Sequence, residues 1–325
     1  MVWMPVLPQT APRAPAPGQC LLMPLPHLAL IEASGADAAA FLHAQFSNDV
    51  QGLTPDRSLL AGYCNAKGRL YALPRVWRSG DSWRLCLPAE VADTVSKRLR
   101  MFVLRSQVSL GLREDMTLLG LAGDGAADCL RQAGLLVPDE IDGVSTQGET
   151  SVVRWPAPVP RFQICVPDAA APQLWAALSA CAQPAQAAAW RLLDIDAGLP
   201  AIYAPTLEAF VPQMVNLELI GGVSFRKGCY PGQEIVARMH YLGKPSRRMY
   251  LWQTGARAPL PGTPVLDETG REAGTVVDAQ QAPDGARLLA VLQRSSRTAA
   301  LCLPDGQRLE SLELPYAVDD AVSAD

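Results

Sequence analysis

Phe225-Arg226-Lys227-Gly228-Cys229-Tyr230-Pro231-Gly232-Gln233-Glu234 places one cysteine between two glycines and beside two cations. Gly228 and Gly232 permit backbone angles and close approaches that other residues resist. Pro231 has no N–H to lose, and its fixed φ suits the first position of a helix. The residues that follow, 233–240, read as a short helix, so Cys229 stands just before a helix N-terminus. Unpaired amide N–H groups and the positive end of the helix dipole favour an anion there. Arg226 and Lys227 add field of the same sign, a setting expected to lower a thiol pKa. Cys229 is therefore read as a reactive or ligand-facing thiolate, against the ordinary alternative of a small buried hydrophobe. Cys86, Cys165 and Cys302 lie in apolar strand-like runs and read as core.

The octapeptide Lys227 to Glu234 closely resembles the signature of the YgfZ family of folate-binding proteins, related to the glycine-cleavage T-protein (aminomethyltransferase). Mitochondrial iron–sulfur assembly factors of the same superfamily carry a similar motif. Other segments extend the resemblance. Phe41-Leu42 through Asn48-Asp49-Val50 looks like the family's first helix and its exit, and Asn65-Ala66-Lys67-Gly68-Arg69 like its early hairpin loop. The stretch 191–200, then Phe210-Val211-Pro212-Gln213 and Asn216-Leu217, resembles the approach to the cysteine motif. In all, the likeness covers roughly residues 25 to 315.

At 325 residues the chain is too long for one small core, so two or three domains are expected. Hydrophobic residues make up 49% and charged residues 18%, which points to a globular protein with a sizeable interior. No run of 18 apolar residues occurs, so no membrane span is expected. Residues 1–19 hold five prolines and lack the apolar centre of a secretory signal. They read as a flexible extension; a mitochondrial transit peptide is the alternative, opposed by those prolines. Eight cysteines are scattered singly, with no Cys-x-x-Cys pair or Cys/His cluster. That argues against a disulfide framework, a zinc site or a stable cluster, and it suits a reducing cytoplasm.

A net charge of −4 offers nucleic acid no bulk attraction. Between residues 226 and 248, however, Arg226, Lys227, Arg238, Lys244, Arg247 and Arg248 face a single acid, Glu234. The excess reads either as an anion-binding face or as a solvated surface neutralised elsewhere in space. Only 4 lysines stand against 24 arginines, yet Lys67, Lys227 and Lys244 all lie beside glycine. A compact ammonium kept against that bias hints at a chemical or steric need.

Strand-like runs appear at 28–32, 59–64, 70–77 and 83–87, then a helix over 89–104 and a strand at 107–112. The alternation repeats with strands near 117–121, 151–154 and 162–166 and helices at 125–133 and 169–181. The pattern predicts an α+β core of two ferredoxin-like halves. A helix over 187–197 stops at Gly198, a suitable C′ residue. Beyond Arg248, turn signals recur at 261–262, 268–270, 283–285 and 304–306, which predicts a small antiparallel β-barrel. The expected organisation is an extension (1–19), a core (20–245), a barrel (246–316) and an acidic tail (317–325).

The resemblance implies a reduced folate, tetrahydrofolate or a derivative, held between the core and the barrel. T-protein relatives use acidic residues after the early hairpin loop to position the substrate amine. Here Tyr71 and Ala72 stand at that place, so aminomethyl transfer is disfavoured and enzymatic turnover stays open. Candidate cofactor-binding residues are Lys67, Arg69, Lys227, Tyr230, Gln233, Glu234 and Arg238, with Cys229 as the functional thiol. Arg247 is a further cation for a glutamate tail, and Phe225 a further aromatic surface. Glu234 reads as a helix-start cap or a partner of Arg238. His43 and His240 read as helix residues of ordinary packing or surface.

The expected function is a folate-binding accessory protein, cytoplasmic and monomeric, that supports assembly or repair of iron–sulfur enzymes. Those clients include tRNA-modifying ones, so the link to tRNA is indirect. The alternatives are a folate-dependent one-carbon transferase and, less favoured, a tRNA-binding module.

Overall fold

Five antiparallel strands form the first sheet, in the order Ser58–Leu60, Arg75–Ser79, Ser82–Pro88, Leu28–Ser34 and Ser109–Leu112. These are features of a computed structural model that describes residues 5, 7–8, 11–243, 245–255 and 257–318. The extension expected over 1–19 falls partly outside the described residues, as do Lys244 and the acidic Asp319, Asp320 and Asp325 entirely. Helices α1 (Ala38–Gln45) and α2 (Ala89–Arg100) cover one face of this sheet. Phe41, Leu42, Val91, Val95 and Leu99 bury against Ile31, Val76 and Leu85.

The second sheet runs Val144–Gln147, Thr150–Trp155, Arg161–Pro167, Met116–Gly123, Cys20–Pro24 and Gln183–Pro184. Helices α3 (Ala126–Gln132) and α4 (Ala171–Ser179) bury Leu130, Trp175 and Leu178 on it. The halves interleave, because Cys20–Pro24 pairs antiparallel with Met116–Gly123 and parallel with Gln183–Pro184. The chain thus opens in the sheet of its second half. Helix α5 (Ala187–Asp196) drives Trp190 and Leu193 into the apolar layer where Trp77 and Cys86 of the first sheet meet Met23 and Leu25. It ends as expected: Gly198 has φ +66° and the Leu199 N–H reaches back to the Asp194 carbonyl at 2.9 Å.

The C-terminal strands close into a six-stranded barrel in the order Arg247–Thr254, Gly285–Gln293, Glu272–Ala282, Pro264–Asp267, Leu301–Cys302 and Arg308–Leu312. Met249, Leu251, Val277 and Leu289 bury against Leu70, Ile195, Phe210 and Leu217 of the core. Arg191 of α5 pairs at 2.6 Å with the buried Asp278 of the barrel, which also accepts the Tyr203 hydroxyl at 2.9 Å. The expected α+β core with a closed antiparallel barrel is the observed architecture.

One expectation is corrected. Cys129 and Cys181 do not stand singly; they are joined as a disulfide with their Cα atoms 5.8 Å apart. The pair is 52 residues apart in sequence and meets because α3 and the end of α4 pack side by side on one sheet. Among the described residues no helix is long and apolar enough to cross a membrane.

Candidate functional site

The loop carrying Cys229 is fastened at both ends. Upstream, Ser47 Oγ donates to the Gly222 carbonyl at 2.7 Å, and Asn48 Nδ2 donates to the carbonyls of Gly221 and Leu60. The Ser224 N–H adds a bond to Ser47 O at 2.9 Å. Lys227 then drives its ammonium into the C-terminal end of α1, donating to the carbonyls of His43 and Phe46, the latter at 2.6 Å. Those carbonyls are orphans of a helix end and carry the negative pole of its dipole. A point-like ammonium that can donate to both explains why lysine stands here. Burial still lowers the Lys227 pKa to about 8, with Asp49 and Cys229 opposing the shift. The nitrogen also sits 4.9 Å from the centre of the Tyr230 ring.

Downstream, helix α6 (Gln233–Leu242) begins at the residue the sequence reading gave and runs two residues further. Pro231 precedes the helix, and Gly232 takes the cap position with φ +79°. A Cβ on Gly232 would lie 2.4 Å from Asn65 O and 2.5 Å from Gly68 Cα, closer than real atoms come. Gln233, not Glu234, reaches back to accept the Tyr230 N–H, at 3.1 Å. Glu234 and Arg238 are exposed and form no ion pair among the described residues. Phe225 stacks on His240 of α6, rings 3.7 Å apart, so that aromatic is packing material. Cys229 itself is free and exposed.

The early hairpin loop is organised by Asn65, whose Oδ1 accepts the N–H groups of Lys67 and Arg69 and whose Nδ2 donates to Glu208 at 2.6 Å. Arg69 spends its guanidinium on the carbonyls of Glu208 and Ala209. Lys67 is exposed at the tip. Tyr71, at the place where a carboxylate had been expected, lies under Arg98, which donates to its hydroxyl at 2.5 Å. The group opposite that position is therefore a cation. The basic excess around the motif shrinks likewise: Arg248 is buried and paired with Glu218 at 2.5 Å, leaving Arg226 and Arg238 exposed.

His43, read from sequence as ordinary packing or surface, stands inside this cluster. Its Nδ1 is 3.1 Å from Asp49 Oδ1, and its Nε2 is 3.8 Å from where a Cβ on Gly228 would lie. Partial burial and the Lys227 charge lower its pKa, against the opposing pull of Asp49. The signal was present in the sequence, since His43 and Asp49 flank the helix exit, but nothing local showed that the cysteine loop folds onto it.

A cavity of about 620 Å³ opens where both halves meet the end of the barrel. Its apolar walls are Leu59, Leu60, Ile141, Leu199, Leu219 and Ile220, with Ser58, Arg75, Asp142 and Tyr316 as polar groups. Arg75 is buried, ion-paired with Asp142, bonded to Ser58 Oγ at 3.0 Å, and keeps a buried Nε with no partner among the described residues. None of Cys229, Lys67, Arg69, Lys227, Tyr230, Gln233, Glu234 and Arg238 lines this space. Gly221 connects the two places: it lines the cavity, and its carbonyl is held by Asn48 beside the cysteine loop. The described residues contain no group of three metal-ligating side chains.

No protein-family model matches the chain. A protein described as "tRNA-modifying protein YgfZ" from Cronobacter sakazakii is 35% identical over 95% of this chain and 98% of its own length. Proteins of the same description from Edwardsiella ictaluri and Escherichia coli O127:H6 are 34% and 31% identical, over 89% and 96% of this chain and 90% and 98% of their own. Among solved structures, the glycine cleavage system aminomethyltransferase T from Bartonella henselae superposes with a TM-score of 0.74. It is 19% identical, over 93% of this chain and 86% of that one, a likeness of fold.

Proposed function

The chain belongs to the YgfZ family of tRNA-modifying proteins, and from that premise we propose that it is a folate-binding accessory protein supporting iron–sulfur enzymes that modify tRNA. The observation that carries this reading is the pairing of an exposed, doubly anchored Cys229 with a large cavity at the junction of both halves and the barrel.

The cavity fits a reduced folate. Its volume falls within the range of small-molecule sites, and aliphatic walls with a few convergent polar groups suit a flat heterocycle. Asp142 can accept N–H groups from a heterocycle edge. Bound tetrahydrofolate would supply a one-carbon carrier. The protein's own residues would orient it and exclude water, while Lys227 and the Ser47–Asn48 anchors hold the thiol loop still. Lys67 and Arg238, exposed and without an ion pair among the described residues, remain candidates for a polyglutamate tail leaving the cavity.

Aminomethyl transfer is opposed by Arg98 over Tyr71, because a cation there cannot orient or deprotonate a substrate amine. A cytoplasmic monomer serving iron–sulfur clients is part of the same proposal. The test is complementation: in a host lacking the protein, wild type restores tRNA methylthiolation and Cys229→Ser does not. Full restoration by Cys229→Ser would overturn the thiol's role, and absence of tetrahydrofolate binding by calorimetry would overturn the ligand.

A further inference from the structure

Three titratable side chains surround the loop on which Cys229 is exposed. Asp49 lies at the exit of α1, His43 in its last turn, and Lys227 two residues before the cysteine. Asp49 touches His43 Nδ1 at 3.1 Å, while the Gln51 N–H approaches the same nitrogen at 3.4 Å. The contact with the carboxylate is shorter and charge-assisted, so it is the stronger of the two. It places the imidazole proton on Nδ1 and leaves Nε2 as a lone-pair acceptor. That nitrogen faces the backbone of Gly228, the residue before Cys229, where no side chain stands between them. Lys227 is not free to be the acceptor. Its ammonium is committed to the carbonyls of His43 and Phe46.

We propose that His43, oriented by Asp49, is the group that takes the proton from the Cys229 thiol. The step breaks the S–H bond, forms an N–H bond at Nε2, and leaves a thiolate beside an imidazolium. Asp49 stabilises the imidazolium, and no oxidant, reductant or further reactant is required. Burial and the Lys227 charge keep the imidazole neutral at pH 7, the state that can accept a proton. The charged groups acting on it are Asp49 from the helix exit and Lys227 from the motif loop. The inference rests on Cys229 being the functional thiol, and it adds the residue that activates it.

The test is the rate of iodoacetamide labelling at Cys229 in the full chain, followed by peptide mass spectrometry across the imidazole titration range. His43→Gln is expected to slow labelling near pH 7 by roughly tenfold or more and to remove the inflection below pH 7. Asp49→Asn is expected to move the same inflection to lower pH, and it serves should the first variant fold poorly. An unchanged rate and profile overturns the inference, and so does a slower rate with the wild-type profile, which would mark a structural role. The labelling readout does not depend on tRNA modification, so a Cys229→Ser variant that retained cellular function would sink the functional reading separately.

Discussion

Gly232 and Gly68 meet backbone to backbone, each with φ near +75°, and a side chain on Gly232 would collide with the hairpin loop. The angles are +79° at Gly232 and +70° at Gly68, and a Cβ on Gly232 would fall 2.5 Å from the Gly68 nitrogen. This contact joins the start of α6 to the early hairpin loop and sets where the cysteine loop ends. Gly232→Ala must therefore strain φ and push two backbones apart together. It is expected to cost about 2–4 kcal/mol, read as a lowered midpoint in urea with an unchanged slope. A midpoint equal to wild type would mean that the loops separate without penalty.

The ligand's location has two competing answers that one titration separates. If tetrahydrofolate occupies the cavity, Leu219→Trp fills part of it from a half-exposed wall and weakens binding at least tenfold, about 1.4 kcal/mol. Lys227→Ala with Arg238→Ala should then change affinity little, because neither residue lines the space. The opposite ranking would put the ligand on the motif's cations instead.

Much of this arrangement was legible in the chain because it is written locally. Glycine, proline and the two cations mark the cysteine loop, Gly198 marks the end of α5, and regular turn signals mark the barrel. What escaped is what only tertiary contact decides. Pro231 suits the first position of a helix, but it lies before α6, because the close approach of Gly68 goes with Gly232 as the cap and Gln233 as the first helical residue. The strand Cys20–Pro24 sits at the edge of a proline-rich stretch and declares itself only by pairing with Met116–Gly123. Cys129 and Cys181 look solitary until α3 and α4 pack together. The reach of Lys227 across 181 residues to Phe46 O has no local signature either.

His27 should make stability depend on pH in a defined window. Burial, helped by the Arg191 charge, lowers its pKa to about 4, and neither ring nitrogen has a partner among the described residues. In the unfolded chain the imidazole protonates near the ordinary value of about 6.5. A depressed folded pKa means the unfolded state binds the extra proton first, so stability is lost as pH falls from about 6.5 to 4. The full effect is about 3.4 kcal/mol, at about 1.4 kcal/mol for each pH unit. His27→Gln should flatten the difference in urea-unfolding free energy between pH 7 and pH 4.5. A variant with the same slope as wild type would show that carboxylates alone set it.

Thiol mapping should single out one cysteine. Cys20, Cys64, Cys86 and Cys165 are buried, and burial pushes their thiols up to about 11 for the first and about 12 for the other three. At neutral pH such thiols hold almost no thiolate and are shielded as well, so they react slowly twice over. Cys302 is half-buried in the barrel, and Cys129 and Cys181 are joined to each other. Substoichiometric iodoacetamide on the native chain should therefore label Cys229 first, and a non-reducing digest should yield a linked peptide holding Cys129 and Cys181. Two free thiols at those positions would remove the disulfide without touching the site. Preferential labelling of any buried cysteine would mean that the fold opens faster than the exposed loop reacts, and the anchoring by Lys227 and Gly232 would then be too weak to present a thiol.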